Sequence, residues 1–338
     1  MTDPDAVAVY GPQAPQRSGV ATYIDAMAEH CPPGFRIQRV CNNSWMDPRA
    51  AKAVLYHVGA SALHHCVFEG LRRRPGPTIV HENNTLSYYY ESWDWLKPSV
   101  RARVLSMASR RLGRHVGCLE VLQEALDGLP DEDRYCADIG IEQMYLPYLT
   151  HALVHSRRLQ RRFARLAPDL PVTQVPLMSY PLTTDMRARS RSQLNLSPGQ
   201  IVFGSFGFIG QYKRVDKILR AWLDWQTRPP DSVLLVVGQP QYNIEIPNHP
   251  SIVHIGFVPN ATDFLGYLAA CDCAVQLRYP TLGETSGVIT TFLANNVPLI
   301  TSLTPDTAEY AGLPNVVRVA PDEAEVPNLI VSMTQIAQ

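Results

Sequence analysis

Short apolar runs and 3.6-period amphipathic segments alternate from the first residues of this chain. AVAVY at 6–10 reads as a short buried strand that ends in a Gly-Pro loop. VATYIDAMAEH then has helical spacing, with Ser18 placed to cap its start. FRIQRVC and AKAVLYHVG read as further strands, SALHHCVFEGLRR as a helix, and TIVHE as a strand after Pro75-Gly76-Pro77. Strand, loop and helix in this rhythm predict a parallel α/β sheet.

Between about 86 and 149 the rhythm changes. YYYESWDWL is aromatic, while SVRARVLSMASRRLGRH and CLEVLQEAL have helical spacing, so the stretch reads as a helical insertion or lid. HALVHS resumes the strand pattern, SRRLQRRFARL reads as a helix, and 171–181 carries one more strand. The polar TTDMRARSRSQLNLSPGQ reads as the boundary between domains 1–182 and 183–338. The alternation then restarts. IVFGSFGFIG, SVLLVVG, SIVHIGFV, CAVQL, VPLIT and VVRVA read as strands, with amphipathic helices between and after them. Two doubly wound domains facing across a cleft are the expected architecture.

Composition narrows the function classes. Of 338 residues 46% are hydrophobic and only 18% charged, which excludes wholesale disorder. Thirty basic residues against 31 acidic ones leave a net charge of −1, so there is no whole-chain footprint for nucleic acid. No apolar run is long enough to cross a membrane, and MTDPDAVAVYGPQ lacks the layout of a secretory signal. Seven cysteines, with no Cys-x-x-Cys, read as reduced thiols of a cytoplasmic protein. Only four of the basic residues are lysines (Lys52, Lys97, Lys213 and Lys217), so a lysine in a site-like setting is informative.

Two stretches carry the candidate chemistry. Arg278-Tyr279-Pro280-Thr281-Leu282-Gly283-Glu284-Thr285-Ser286-Gly287 follows a strand and enters a helix, whose first N–H groups lack internal partners and can hold an anion. Glu284 is suited to accept hydrogen bonds from hydroxyls, or it supports the start of the helix. Gly207-Phe208-Ile209-Gly210-Gln211-Tyr212-Lys213-Arg214 also joins a strand to a helix. Two cations at a helix start oppose the dipole unless an anion binds there, although two solvated surface charges would also account for them. The glycine spacing, G-x-x-G-x-x-G, differs from that of dinucleotide sites and weighs against a nicotinamide oxidoreductase.

Together the two stretches resemble the donor half of glycosyltransferase family 4, the retaining sugar-nucleotide transferases with a GT-B fold. RYPTLGETSG is close to the donor loop of one bacterial subgroup. LLVVG and HIGFVPN…LAACDCAVQL fit the intervening pattern. The N-terminal half resembles the family more loosely, through GPQAPQRSGVATY, HVGASALHH, TIVHENN and LVHSRRLQ.

The resemblance implies an N-terminal acceptor-side domain and a C-terminal donor domain. It implies a metal-independent transfer, without cofactor, from a nucleoside-diphosphate sugar to a hydroxyl acceptor such as a saccharide, a lipid-linked saccharide or a natural product. His81, Lys213 and Glu284 would be catalytic. Ser18, Gly19, Gly207, Gly210, Arg214, Thr285, Ser286 and Gly287 would hold the donor. His64, Glu82 and Asn83 would lie on the acceptor side. His81 also reads as a strand-end histidine satisfied by backbone, and Asp131-Glu132-Asp133 as a solvated helix start rather than a metal motif.

Three positions depart from the family pattern. Phe208 stands where an Arg is usual, Phe292 where many members have a second Glu, and Asn296 where Gly is common. A catalytically impaired homologue that binds a sugar nucleotide or a partner subunit is therefore the competing expectation. The basic run Arg101, Arg103, Arg110, Arg111 and Arg114 within 99–115 reads as a solvated face or as a peripheral contact with the inner membrane surface.

Overall fold

The computed structural model describes residues 6–16, 18–127, 139–240, 244–281 and 283–338, with no side-chain description for 125–127. Asp131, Glu132 and Asp133 lie outside the described residues. The chain divides into two compact units, 1–176 with 282–285, and 177–281 with 286–338.

The first unit is a six-stranded parallel sheet. Its strands are β1 (Ala6–Tyr10), β2 (Arg36–Val40), β3 (Ala53–Val58), β4 (Gly76–Val80), β5 (Leu149–Val154) and β6 (Val172–Gln174), in the order β2-β1-β3-β4-β5-β6. The helices α1 (Gly19–Glu29), α2 (His65–Arg73), α3 (Leu86–Glu91), α4 (Pro98–Leu112), α5 (Leu119–Asp127) and α6 (Arg157–Leu166) complete it. Ser18 Oγ accepts the Val20 N–H and Ser156 Oγ the Leu159 N–H, so α1 and α6 start at side-chain caps. Helix α4 ends at Gly113, whose φ of 63° is a left-handed stop. The 86–149 insertion is not a detached lid. Tyr88, Tyr89, Val104, Met107, Ala108 and Tyr145 belong to the unit's core, and the Phe68 and Tyr88 rings stack with centroids 4.0 Å apart. Aromatic rings of this size bury a large apolar area each, so this packing fixes the insertion to the unit.

The second unit is also a six-stranded parallel sheet. Its strands are β7 (Ile201–Phe206), β8 (Ser232–Val237), β9 (Ile252–Ile255), β10 (Cys273–Gln276), β11 (Leu299–Ser302) and β12 (Val316–Val319), in the order β12-β11-β10-β7-β8-β9. Its helices are α7 (Thr184–Gln193), α8 (Val215–Asp224), α9 (Ala261–Ala269), α10 (Gly287–Ala294) and α11 (Glu325–Ala337). Strand β8, SVLLVV, is buried throughout, as a parallel strand covered on both faces must be.

The polar segment read as the domain boundary contains helix α7. Thr183 caps it through the Met186 N–H. Arg187 and Arg191, one turn apart, reach Asp272 from the same face. Arg187 also donates to the carbonyls of Ala269, Ala270 and Cys271, which close the end of α9. An arginine face that buries itself by pairing has no apolar stripe, so hydropathy alone could not reveal the helix. The chain passes between the units at Pro176–Leu177.

Candidate functional site

Parallel doubly wound sheets bind ligands beyond the carboxyl ends of their strands, where the strand order reverses. In the second unit that point lies between β7 and β10. The loops that leave these two strands are Gly207–Arg214 and Arg278–Ser286, the two stretches that carry the sequence motifs. They are joined directly: the Tyr279 N–H donates to the Tyr212 carbonyl at 2.7 Å.

Lys213 is the buried centre of the first loop, only 8% exposed, and Nζ donates to the Phe206 carbonyl at 3.0 Å. It is not the mobile surface charge that its place in the sequence implies. Gly207, at φ 97°, makes this seat, because a Cβ there would land on Lys213 Nζ. Gly238, at φ 152°, lets the next strand end pass against the Gly207 carbonyl. Gly210 is extended, at φ −130°, and opens a single 3-10 turn over 211–213.

Arg214 has left-handed backbone, φ 50°, and joins that turn to α8. Its guanidinium grips both carboxylate oxygens of Glu325 in α11, with Nε at 2.7 Å from each. Burial pushes the Glu325 carboxyl up from its ordinary range, and Arg214 pulls the other way. The Arg214 guanidinium is therefore paired with an internal carboxylate.

Arg278 supplies a further cation at this junction. It extends from the end of β10, with its guanidinium over the Tyr212 ring at 5.9 Å and Nη2 on Ser286 Oγ at 3.2 Å. Its only sequence signal was its place immediately after a buried strand, at a switch-point loop. Ser286 caps α10 through the Ile289 N–H. Gly287 has open space where a side chain would project, so the first turn of α10 stays accessible. Glu284 and Thr285 are partly exposed. Phe208 is partly exposed, whereas Phe292 is fully buried and packs against Phe206 at 5.7 Å. Asn296 takes φ 55°, the conformation that explains why Gly or Asn suits this position.

In the first unit the sheet order reverses between β1 and β3. Ser18 is engaged as the α1 cap, and Gly19 is exposed with open space at its Cβ position. His64 is 2% exposed. Its ring lies against Gly59, Nδ1 is 3.3 Å from the Ser61 carbonyl, and burial pushes it down to about 4. It is an internal ring in this unit. His65 is half-buried beside the Tyr88 hydroxyl. Glu82 and Asn83 are partly exposed, and the Asn83 carbonyl accepts the Tyr145 hydroxyl at 3.2 Å.

His81, immediately after β4, belongs to a cluster that the sequence did not reveal. His57 Nδ1 lies 3.0 Å from His81 Nε2 and the rings stack. His155, after β5, and Tyr23, on α1, pack against His81 with centroids at 5.2 and 5.0 Å. Burial and the neighbouring histidines hold His81 well below its usual pKa, and burial pushes His57 to about 3. Among the described residues no three His, Cys, Asp or Glu are arranged to hold a metal, and no helix is long and apolar enough to cross a membrane.

No family model matches this sequence, and no curated protein matches it. Solved structures are. WaaG, a glycosyltransferase involved in lipopolysaccharide biosynthesis, is 14% identical with a TM-score of 0.55, over 98% of this chain and 90% of that one. Sucrose-phosphate synthase from Thermosynechococcus elongatus is 14% identical, TM-score 0.56, over 98% and 90%. HepE from Anabaena in complex with UDP-glucose is 12% identical, TM-score 0.54, over 98% and 91%. The chain thus has the GT-B fold, with two Rossmann-like units.

Proposed function

We propose that the protein is a glycosyltransferase of the family 4 type. It moves a sugar from a nucleoside-diphosphate sugar to a hydroxyl acceptor, with retention and without a metal. The observation that carries this reading is the junction in the second unit. There Lys213, Arg278 and the open first turn of α10 meet at the switch point through the Tyr279–Tyr212 hydrogen bond. Departure of a nucleoside diphosphate places negative charge on its phosphates. A cation already held in place, together with unpaired helix N–H groups, stabilises that charge without reorganisation. Glu284 then accepts hydrogen bonds from the sugar hydroxyls, and His81 donates one to the sugar. One structural neighbour, HepE, was solved with UDP and with UDP-glucose, which supports a nucleotide-sugar ligand.

The test is a thermal-shift screen with common sugar nucleotides, followed by turnover of the one that binds. Lys213→Ala should lose on the order of 10²-fold in turnover. Near-normal turnover would remove Lys213 from the mechanism. A second reading, an impaired homologue that binds without transfer, draws on Arg214 being held by Glu325 and Phe292 lying in the core. Saturable binding with no transfer to any acceptor would select it.

For the basic stretch 99–115, most of it in helix α4, we propose peripheral contact with an anionic membrane face. Arg110 and Arg111 share a cavity of about 640 Å³ with Arg165, the Arg162–Glu142 ion pair and the apolar Met107 and Leu166. Co-sedimentation with anionic but not neutral vesicles is the expected result.

A further inference from the structure

The hydrogen bond between His57 and His81 has two proton arrangements. In one, His81 Nε2–H donates to His57 Nδ1. A neutral His57 then carries its own proton on Nε2, which is buried and has no partner. In the other, His57 Nδ1–H donates to His81 Nε2. The buried Nε2 of His57 is then a bare lone pair. An orphaned buried N–H is the rarer and costlier defect, so the second arrangement wins. It leaves the single proton of a neutral His81 on Nδ1. His81 is partly exposed, and its Nδ1 is not among the sealed, unpartnered atoms.

The surroundings keep both rings neutral. The groups that face His81 are His57 from β3, His155 beyond β5, His64 from the turn before α2, and Tyr23 from α1. His155 is fixed independently, because its Nδ1 faces the Val175 carbonyl at 3.2 Å and must carry the proton there.

We propose that His57 is a positioning residue that fixes His81 as the Nδ1–H tautomer, so that His81 meets its ligand as a hydrogen-bond donor and not as a proton acceptor. The partner this selects is an oxygen acceptor, a sugar hydroxyl or a phosphate oxygen. The same tautomer rules out Nδ1 of His81 as a general base. The consequence for turnover rests on the sugar-transfer reading, whereas the tautomer does not.

Long-range proton–nitrogen NMR on the ¹⁵N-labelled full chain reads the tautomer directly, with His81 assigned by its loss in His81→Gln. Protonated Nδ1 in the wild type is expected. His57→Asn, whose amide nitrogen can stand in for the ring Nδ1, should keep it. His57→Asp, whose carboxylate can only accept, should draw a proton to Nε2 of His81. With an active donor, His57→Asp should lose about tenfold in kcat/KM and His57→Asn should keep most of it. A wild-type His81 protonated on Nε2 overturns the proposal even if His57→Asp does not fold. A His81 still protonated on Nδ1 alone in a folded His57→Asp overturns it equally. The expected tautomers without any sugar transfer would sink the transferase reading and leave this one standing.

Discussion

Lys213 Nζ occupies the space that a side chain on Gly207 would need. The ammonium lies under the loop, bonded to the Phe206 carbonyl, and the backbone above it runs at a φ that favours glycine. Position 207 therefore controls position 213, six residues later.

Gly207→Ala should displace Lys213 and reproduce the loss of donor binding and turnover expected on removing the lysine. In the double variant with Lys213→Ala the two losses should not add, because one event causes both. A double-mutant cycle on kcat/KM checks this, and full additivity would show that the glycine acts elsewhere.

The pairing of Arg214 with Glu325 ties the start of α8 to the start of α11. Both side chains are largely removed from water. Glu325→Ala should destabilise the chain by about 3–5 kcal/mol by leaving an uncompensated guanidinium. Arg214→Met combined with Glu325→Met should cost much less. Urea unfolding of the three variants tests the order, and turnover close to wild type in the double variant would show that Arg214 takes no part in donor binding.

Phe292→Glu would not restore the carboxylate of the family pattern. The ring is fully buried against Phe206, so a carboxylate there is desolvated without a partner. The expected result is an unfolded or strongly destabilised chain by circular dichroism, with no gain in nucleotide affinity.

The buried histidines set an acid limit on the first unit. Unfolded, their rings take up protons below about pH 6.5. Folded, His64 does so only near 4 and His57 near 3. The unfolded chain thus binds more protons in that window, and stability falls as pH drops from about 6.5 toward 4. Each ring adds up to about 1.4 kcal/mol per pH unit to the slope. Chemical denaturation across this range should show the decline, and His57→Leu should flatten it. A stability independent of pH between about 6.5 and 4 would contradict the assignment.

The sequence by itself determined the two α/β halves, because a parallel strand buried on both faces must be a short apolar run and its crossover helix must be amphipathic. It also determined the two loops, since Gly207–Lys213 and Glu284–Gly287 sit at strand-to-helix steps wherever the sheets are drawn. Only the tertiary structure decided which charges those loops can offer. Arg214 and Arg278 look alike as exposed arginines in a string. Glu325, 111 residues beyond Arg214, takes the first, and Tyr212 and Ser286 hold the second. Helix α7 was hidden for the same reason, since its arginines are satisfied by Asp272 and the carbonyls of a distant turn. His57, His81 and His155 are separated by whole βα units and meet only because parallel strands bring their carboxyl ends to one edge. Hydropathy records what a residue avoids, whereas its partner is fixed only when the sheet closes.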